Sequence, residues 1–298
     1  ASLRTLAVRY ADLLADPAAP PFGDSCHTAN TGRALSAHRL AVTAGDGAAA
    51  AAALREWAAS GAAEGVRAGR AAGEAECEPV FLFTGQGAQG VGMCRELYET
   101  QPVFRAELER CAALLQPELD VPLLDVLYPP AGADGGARID RTEYAQPALF
   151  AVEWALAALW RSWGVEPAAV MGHSLGEYVA AAVAGLLPLE QALPLVARRG
   201  RLMQSLPAGG GMAAVFAPLA EVEQAIAQHS RLAIAAINGD ANIVISGAVD
   251  ALDDVVAAFA ARGVNARRLV VSHAFHSPLM DPVLDTFQAS LDGITWGE

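Results

Sequence analysis

AAVMGHSLGEYVAAAVA, residues 168–184, decides how this chain folds. Ala168–Met171 is a short apolar run fit for a buried strand, and Tyr178–Ala184 is an apolar stretch fit for a helix. Between them Gly172-His173-Ser174-Leu175-Gly176 fills a G-x-S-x-G pattern. A serine set between strand and helix in this way marks a nucleophile elbow, because the turn is so sharp that residues two positions away must be tiny. The following helix points its first N–H groups at the serine oxygen, where developing negative charge is stabilised.

The surroundings repeat the alternation. Pro79–Thr84 (PVFLFT) is an apolar run ending in a Gly-rich turn, as in a parallel strand. Val103–Leu115 reads as a helix, Pro129–Arg138 as a loop, and Pro147–Trp163 as an apolar helix with Pro147 in its first turn. Strands alternating with helices imply a parallel sheet covered on both faces. From Gly209 the texture changes. Met212–Phe216, Leu232–Asn238, Asn242–Ser246 and Arg267–Val271 read as strands, with helices at Leu219–His229 and Ala251–Arg262. This is the β-α-β-β-α-β order of a ferredoxin-like subdomain, inserted before His273–Ser277 and suited to wall a cleft. Residues 1–75 form a separate small α/β unit, with a helix at Leu3–Leu14, a strand at Arg39–Thr43 and an Ala-rich helix at Gly47–Ser60. Gly61–Glu78 reads as a linker. The expected division is 1–75, a core of 76–206 with 273–298, and a subdomain of 207–272.

Composition narrows the function. At 298 residues the chain can build one large core and a smaller companion. Hydrophobic residues reach 53%, yet runs such as Val179–Leu187 are too short and too interrupted to cross a bilayer. No basic-then-apolar leader stands at the start, so a soluble, cytoplasmic protein with no membrane partner is expected. Cys26, Cys77, Cys94 and Cys111 are widely spaced without a CxxC, which favours free thiols over a metal site or disulfides. The net charge of −13 speaks against nucleic acid. An anionic substrate must then meet a local cluster of positive charge, and Arg198, Arg199 and Arg201 supply one after the elbow. Most Arg runs are solvated helix faces, but one guanidinium here can grip a carboxylate bidentately.

A serine nucleophile needs a base. His27 and His38 belong to the N-terminal unit, His229 to a helix end, and His173 points away from its neighbour on a tight elbow. His273 and His276 remain, where the chain re-enters the main sheet, with His276 preferred. Gly85-Gln86-Gly87-Ala88-Gln89-Gly90 imitates a dinucleotide fingerprint, but the segment where the second strand should lie reads as helix. No nicotinamide cofactor is expected, and the glycines let backbone approach something else closely.

Taken together, FTGQGAQ (Phe83–Gln89), GHSLGEY (Gly172–Tyr178), ARRGRLMQ (Ala197–Gln204), AAINGDANIVISG (Ala235–Gly247) and HAFHS (His273–Ser277) resemble the acyltransferase domain of modular polyketide synthases, kin to malonyl-CoA:acyl-carrier-protein transacylases. TANTGRALSAHRLAV (Thr28–Val42) is similar to the small linker domain between a ketosynthase and its acyltransferase. The resemblance implies an α/β-hydrolase-like core with Ser174 as nucleophile and His276 as general base and acid. It implies Arg199 on the free carboxylate of the extender unit, and the backbone N–H groups of Gln86 and Leu175 as oxyanion hole. It gives the histidine no Asp partner, main-chain carbonyls orienting it instead. Leu175, and HAFH rather than a YASH-type sequence, resemble the malonyl-selecting branch, so Leu175, His273, Ala274 and Phe275 are the expected selectivity positions. Phe275 would fill the space of an α-methyl group, which discriminates by about 1–3 kcal/mol. The implied substrates are malonyl-CoA and the phosphopantetheine thiol of an acyl carrier protein, with a flanking ketosynthase as neighbour and no bound cofactor. One departure stands out: family members continue past the position of Glu298 through a further strand and a closing helix. The rivals are a serine thioesterase or esterase, distinguished by the need for Arg199, and a docking scaffold without chemistry.

Overall fold

Asp46 opens the best-defined helix of the N-terminal part, its carboxylate accepting from the Ala49 N–H at 2.8 Å. The computed structural model describes residues 2–34, 36–71, 78–130, 132 and 135–297, and divides into two units, Ala1–Cys77 and Glu78–Glu298. The first holds α1 (Ser2–Ala15), α2 (Phe22–Thr31), β1 (His38–Val42), α3 (Gly47–Ser60) and β2 (Val66–Arg70). β1 and β2 pair antiparallel, and Ala7, Ala11, Leu54, Trp57 and Val66 form their own core. The expected linker therefore contains a strand. VRAGR buries only Val66, so apolar periodicity carries no sign of it; β1 recruits it by backbone pairing. The rest of that linker, 72–77 with Cys77, lies outside the described residues, while Cys26, Cys94 and Cys111 are free thiols.

The second unit begins with β3 (Val80–Phe83), α4 (Arg95–Thr100), α5 (Pro102–Leu115), α6 (Leu123–Leu127), α7 (Gly135–Ile139), α8 (Thr142–Ser162), β4 (Ala169–Gly172), α9 (Gly176–Val183) and α10 (Leu189–Gln204). The segment read as a loop at Pro129–Arg138 contains the short α7, with 131, 133 and 134 outside the described residues. α8 also starts earlier than expected, so Pro147 lies inside it and not in its first turn. The reason is burial. Thr142, Gln146 and Phe150 are all sunk in the core, so polar residues at the start of α8 face inward as apolar ones do.

β3 and β4 pair in parallel, and Phe83 packs with α5, α8 and α9 residues such as Phe104, Phe150 and Val179. The opposite face is open: Val80, Leu82 and Met171 are 54%, 66% and 62% exposed. The parallel sheet is thus two strands covered on one side among the described residues, where a sheet covered on both faces was expected.

The chain then forms β5 (Gly210–Val215), α11 (Leu219–Ile226), β6 (Leu232–Gly239), β7 (Asn242–Ala248), α12 (Val249–Ala261) and β8 (Ala266–Arg268), followed by a 3-10 turn at Pro278–Val283 and α13 (Leu284–Ala289). Strand order is β6-β7-β5-β8, all antiparallel. Alternation divides the two faces. Ala213, Val215, Ile243 and Ile245 pack with Leu252, Val255 and Phe259 of α12. Met212 and Val244 turn the other way, onto Met203, Phe275 and Met280. That second face roofs the elbow.

Among the described residues, no helix is long and apolar enough to cross a membrane.

Candidate active site

The elbow is made by glycines that have no room to be anything else. A Cβ on Gly172 would stand 2.0 Å from the Gly176 carbonyl carbon, and one on Gly176 would stand 2.4 Å from the Phe83 oxygen. Strand end and helix start are pressed together, and Ser174 takes the strain with φ of +53°. His276 has φ of +58°, and the only other non-glycine described residue in this region is Cys94. Ser277 fixes the turn behind His276, donating from Oγ to the Ala274 carbonyl at 2.7 Å and accepting from the Leu279 N–H at 3.3 Å. Two strained residues thus meet: Ser174 Oγ and His276 Nε2 are 2.8 Å apart.

Burial pushes the His276 pKa below the usual histidine value, with the nearby charge of Arg199 and then His173 adding to it and Glu177 opposing. A neutral imidazole next to a hydroxyl is what a general base requires. Of the two histidines left open by the sequence, only His276 reaches the serine; His273 is buried and directed elsewhere. The main-chain carbonyl expected to orient His276 is not found: Nδ1 has no hydrogen-bond partner among the described residues.

The loop after β3 supplies the facing wall. A Cβ on Gly85 would lie 2.9 Å from His173 Nδ1, so this loop closes directly onto the elbow. The N–H groups of Gln86 and Leu175 donate to no acceptor among the described residues, and both residues line the cavity around Ser174. Leu175 also precedes α9, whose N-terminus carries partial positive charge.

The three arginines separate. Arg198 and Arg201 both turn to Glu118, at 3.5 and 3.3 Å. Arg199 points inward, over the Tyr178 ring at 5.5 Å, with Nη1 donating to Gln146 Oε1 at 2.8 Å. No carboxylate lies within 4.0 Å of it among the described residues, and burial lowers its pKa, opposed by Tyr178 and Glu177. A desolvated cation with no counter-ion is costly until one arrives. Gly200 explains the placement. A Cβ there would meet the Thr142 carbonyl oxygen at 2.8 Å, so α10 lies hard against the first turn of α8 and presents Arg199 to the cavity.

The cavity holding Ser174, His276 and Arg199 measures about 190 Å³. That is below the roughly 300–1,000 Å³ of drug-sized pockets and suits a short acyl group. Met212, Val244 and Phe275 form its apolar roof. β-Bulges in β6, at Ile234/Ala236 and Ile237/Gly239, break strict alternation, and Ala235, Ala236 and Asn238 all reach the cavity. A second cavity of about 510 Å³ shares Arg199, Met203 and His276 as walls.

Of the expected selectivity positions, Leu175 and Phe275 line the cavity. His273 and Ala274 do not. The Ala274 methyl packs against β5, where a Cβ on Gly210 would come within 2.7 Å, and the His273 imidazole faces Ser272 and the Leu206 carbonyl. Two contributors were missed. Gln146, 1% exposed, holds Arg199; its signal was a polar residue inside the apolar run Gln146–Val152. Glu153 Oε1 accepts from the N–H and hydroxyl of Thr84, at 2.8 and 2.6 Å, and anchors the loop before Gln86. Burial raises its carboxyl pKa, which the Thr84 hydrogen bonds oppose. Among the described residues no group of three His, Cys, Asp or Glu side chains could hold a metal ion.

Known proteins resemble this chain in sequence and in fold. Residues 80–297 match the acyl transferase domain family, and residues 1–54 match a family described as CurL-like, PKS C-terminal. Spectinabilin polyketide synthase system protein NorC of Streptomyces orinoci is 43% identical over 281 residues, 94% of this chain and 12% of that protein. The crystal structure of the acyltransferase domain from module 8 of the salinomycin polyketide synthase superposes with a TM-score of 0.87 at 38% identity, covering 99% of this chain and 69% of the other. A malonyl CoA-acyl carrier protein transacylase from Coxiella burnetii gives a TM-score of 0.66 at 32% identity, covering 74% of this chain and 69% of the other. This chain therefore spans about an eighth of that curated relative.

Proposed function

This chain belongs to the acyl transferase domain family, homologous to the acyltransferase domains of modular polyketide synthases, and we propose that it loads a malonyl extender unit onto a carrier protein through Ser174. The observation that carries the substrate class is Arg199, a half-buried guanidinium with no carboxylate within 4.0 Å among the described residues, in the cavity of the Ser174–His276 pair. A free carboxylate on the acyl group supplies the missing counter-ion and fixes the thioester carbonyl over Ser174.

His276 Nε2 takes the Ser174 proton, and Oγ attacks the carbonyl of malonyl-CoA. The N–H groups of Gln86 and Leu175 receive the oxyanion, each such donor contributing roughly 3–4 kcal/mol. The tetrahedral adduct collapses, the C–S bond breaks, and CoA leaves as its thiol with the proton from His276. The phosphopantetheine thiol of an acyl carrier protein then gives up its proton to His276, attacks the malonyl ester and frees Ser174. Phe275 occupies the place of an α-methyl group and favours malonyl over methylmalonyl by about 1–3 kcal/mol. Residues 1–75 act as the linker to a flanking ketosynthase, and the sheet of β5–β8 as the ferredoxin-like lid of an α/β-hydrolase-like core.

A three-way competition tests this reading. Wild-type protein offered malonyl-, methylmalonyl- and acetyl-CoA should load malonyl preferentially, while Arg199→Ala should lose most malonyl loading and gain relative acceptance of acetyl. Unchanged malonyl preference in Arg199→Ala would remove the carboxylate clamp. Rapid release of free malonate would favour a thioesterase.

A further inference from the structure

We propose that a one-way chain of hydrogen bonds, from Arg199 through Gln146, Gln86, Thr142 and Ser272 to His273, couples the carboxylate-binding guanidinium to the segment that carries His276. The links are consecutive, tight at the two ends and longer in the middle. Arg199 Nη1 meets Gln146 Oε1 at 2.8 Å, and Gln146 Nε2 meets Gln86 Oε1 at 3.4 Å. Gln86 Nε2 reaches Thr142 Oγ1 at 3.3 Å, and Thr142 Oγ1 lies 3.1 Å from Ser272 Oγ. Ser272 Oγ is 2.9 Å from His273 Nδ1, and His273 Nε2 is 3.0 Å from the Leu206 carbonyl.

The two ends fix every direction between them. A guanidinium can only donate, and a carbonyl can only accept. From one end, Arg199 donates to the Gln146 carbonyl, which leaves the Gln146 amide to donate to Gln86 and the Gln86 amide to donate to Thr142. From the other, the Leu206 carbonyl demands a proton on His273 Nε2, so a neutral His273 accepts at Nδ1 from the Ser272 hydroxyl. Ser272 then accepts from the Thr142 hydroxyl, and the two halves join without conflict. A chain in which each group donates onward and accepts from behind is mutually polarising, and more so where water is excluded. Thr142, Gln146 and His273 are 0%, 1% and 5% exposed.

The chain is also a loop in space. It leaves α10 at Arg199, crosses α8 and the Gln86 turn, enters the 272–276 segment and returns at Leu206, two residues past the end of α10. Thr142 is its hub, with its N–H also donating to Gln204 Oε1 at 2.7 Å. His273, although turned away from the acyl cavity, thereby acts on it as a positioning residue. Altering it frees Ser272, and the slack passes through Thr142 and the two glutamine side chains to Arg199, the one group in the chain that meets malonyl but not acetyl.

This inference rests on the proposed malonyl loading for its kinetic test but not for its structural one. Ring-nitrogen NMR of the intact protein should find His273 protonated at Nε2 and bare at Nδ1; the opposite tautomer overturns the chain whatever the enzyme does. Thr142→Val, which keeps the shape and removes the hydroxyl, should lower malonyl-CoA loading roughly tenfold while acetyl-CoA loading changes far less. Thr142→Ser should restore the malonyl rate to within about twofold. Ser272→Ala, at the exposed link, should reproduce the selective loss should Thr142→Val fail to fold. Equal losses on both substrates, or a Thr142→Ser variant as impaired as Thr142→Val, would make Thr142 a packing residue and overturn the proposal. Absence of malonyl loading in the wild type would defeat the proposed function and leave the tautomer to decide the chain.

Discussion

Ser174 and His276 face each other across 2.8 Å, and each holds a left-handed backbone conformation, at φ of +53° and +58°. Left-handed backbone costs an ordinary residue roughly 1–2 kcal/mol, and glycine almost nothing. Ser174→Gly should therefore be more stable than Ser174→Ala by about 1 kcal/mol, read as a higher denaturation midpoint at unchanged slope. Both variants should lose acyl loading. Equal stability would mean that the bend stores no strain.

The pH profile follows from the causes acting on His276. Burial comes first and Arg199 second, and both hold its pKa below the usual histidine value. Loading needs the neutral ring, so the rate falls as pH drops through that lowered pKa. The acid limb of kcat/KM should thus lie below the ordinary histidine range of about 6.5. Arg199→Ala removes one depressing charge, and its acid limb should move to higher pH, measured with acetyl-CoA so that the carboxylate clamp does not intervene. A limb that stays put or moves down would disconnect the two residues.

Gly200 gives a prediction about packing. Any Cβ there must displace the Thr142 carbonyl from its 2.8 Å approach, so Gly200→Ala should cost roughly 1–3 kcal/mol of stability. Because α10 shifts with it, malonyl loading should fall more than acetyl loading. Thermal unfolding together with loading rates checks both halves, and an unaffected substrate preference would separate Gly200 from Arg199.

What could be read ahead of the structure was whatever backbone geometry forces upon residue type. The glycines of GHSLG and Gly85 before Gln86 are dictated by close approach, and Gly87 by its φ of +125°, so their spacing exposes the elbow directly. The strands β5 and β7 were equally plain as short apolar runs, because both of their faces are covered, one by α12 and the other by Met203, Phe275 and Met280. β2 was invisible because pairing, not burial, makes it a strand. Thr142 and Gln146 were missed because a polar residue in a buried helix looks like a helix boundary until its partners are known, and those partners lie on other elements. Arg198, Arg199 and Arg201 are alike as sequence; only Glu118, remote in the chain, sorts them.

The most direct test is the intact mass of the protein after brief exposure to malonyl-CoA, with the modified residue located by peptide fragmentation. The account predicts one malonyl ester on Ser174, absent from Ser174→Ala and slow to form in His276→Ala. A malonyl group on another residue, or an adduct that persists in Ser174→Ala, would contradict it.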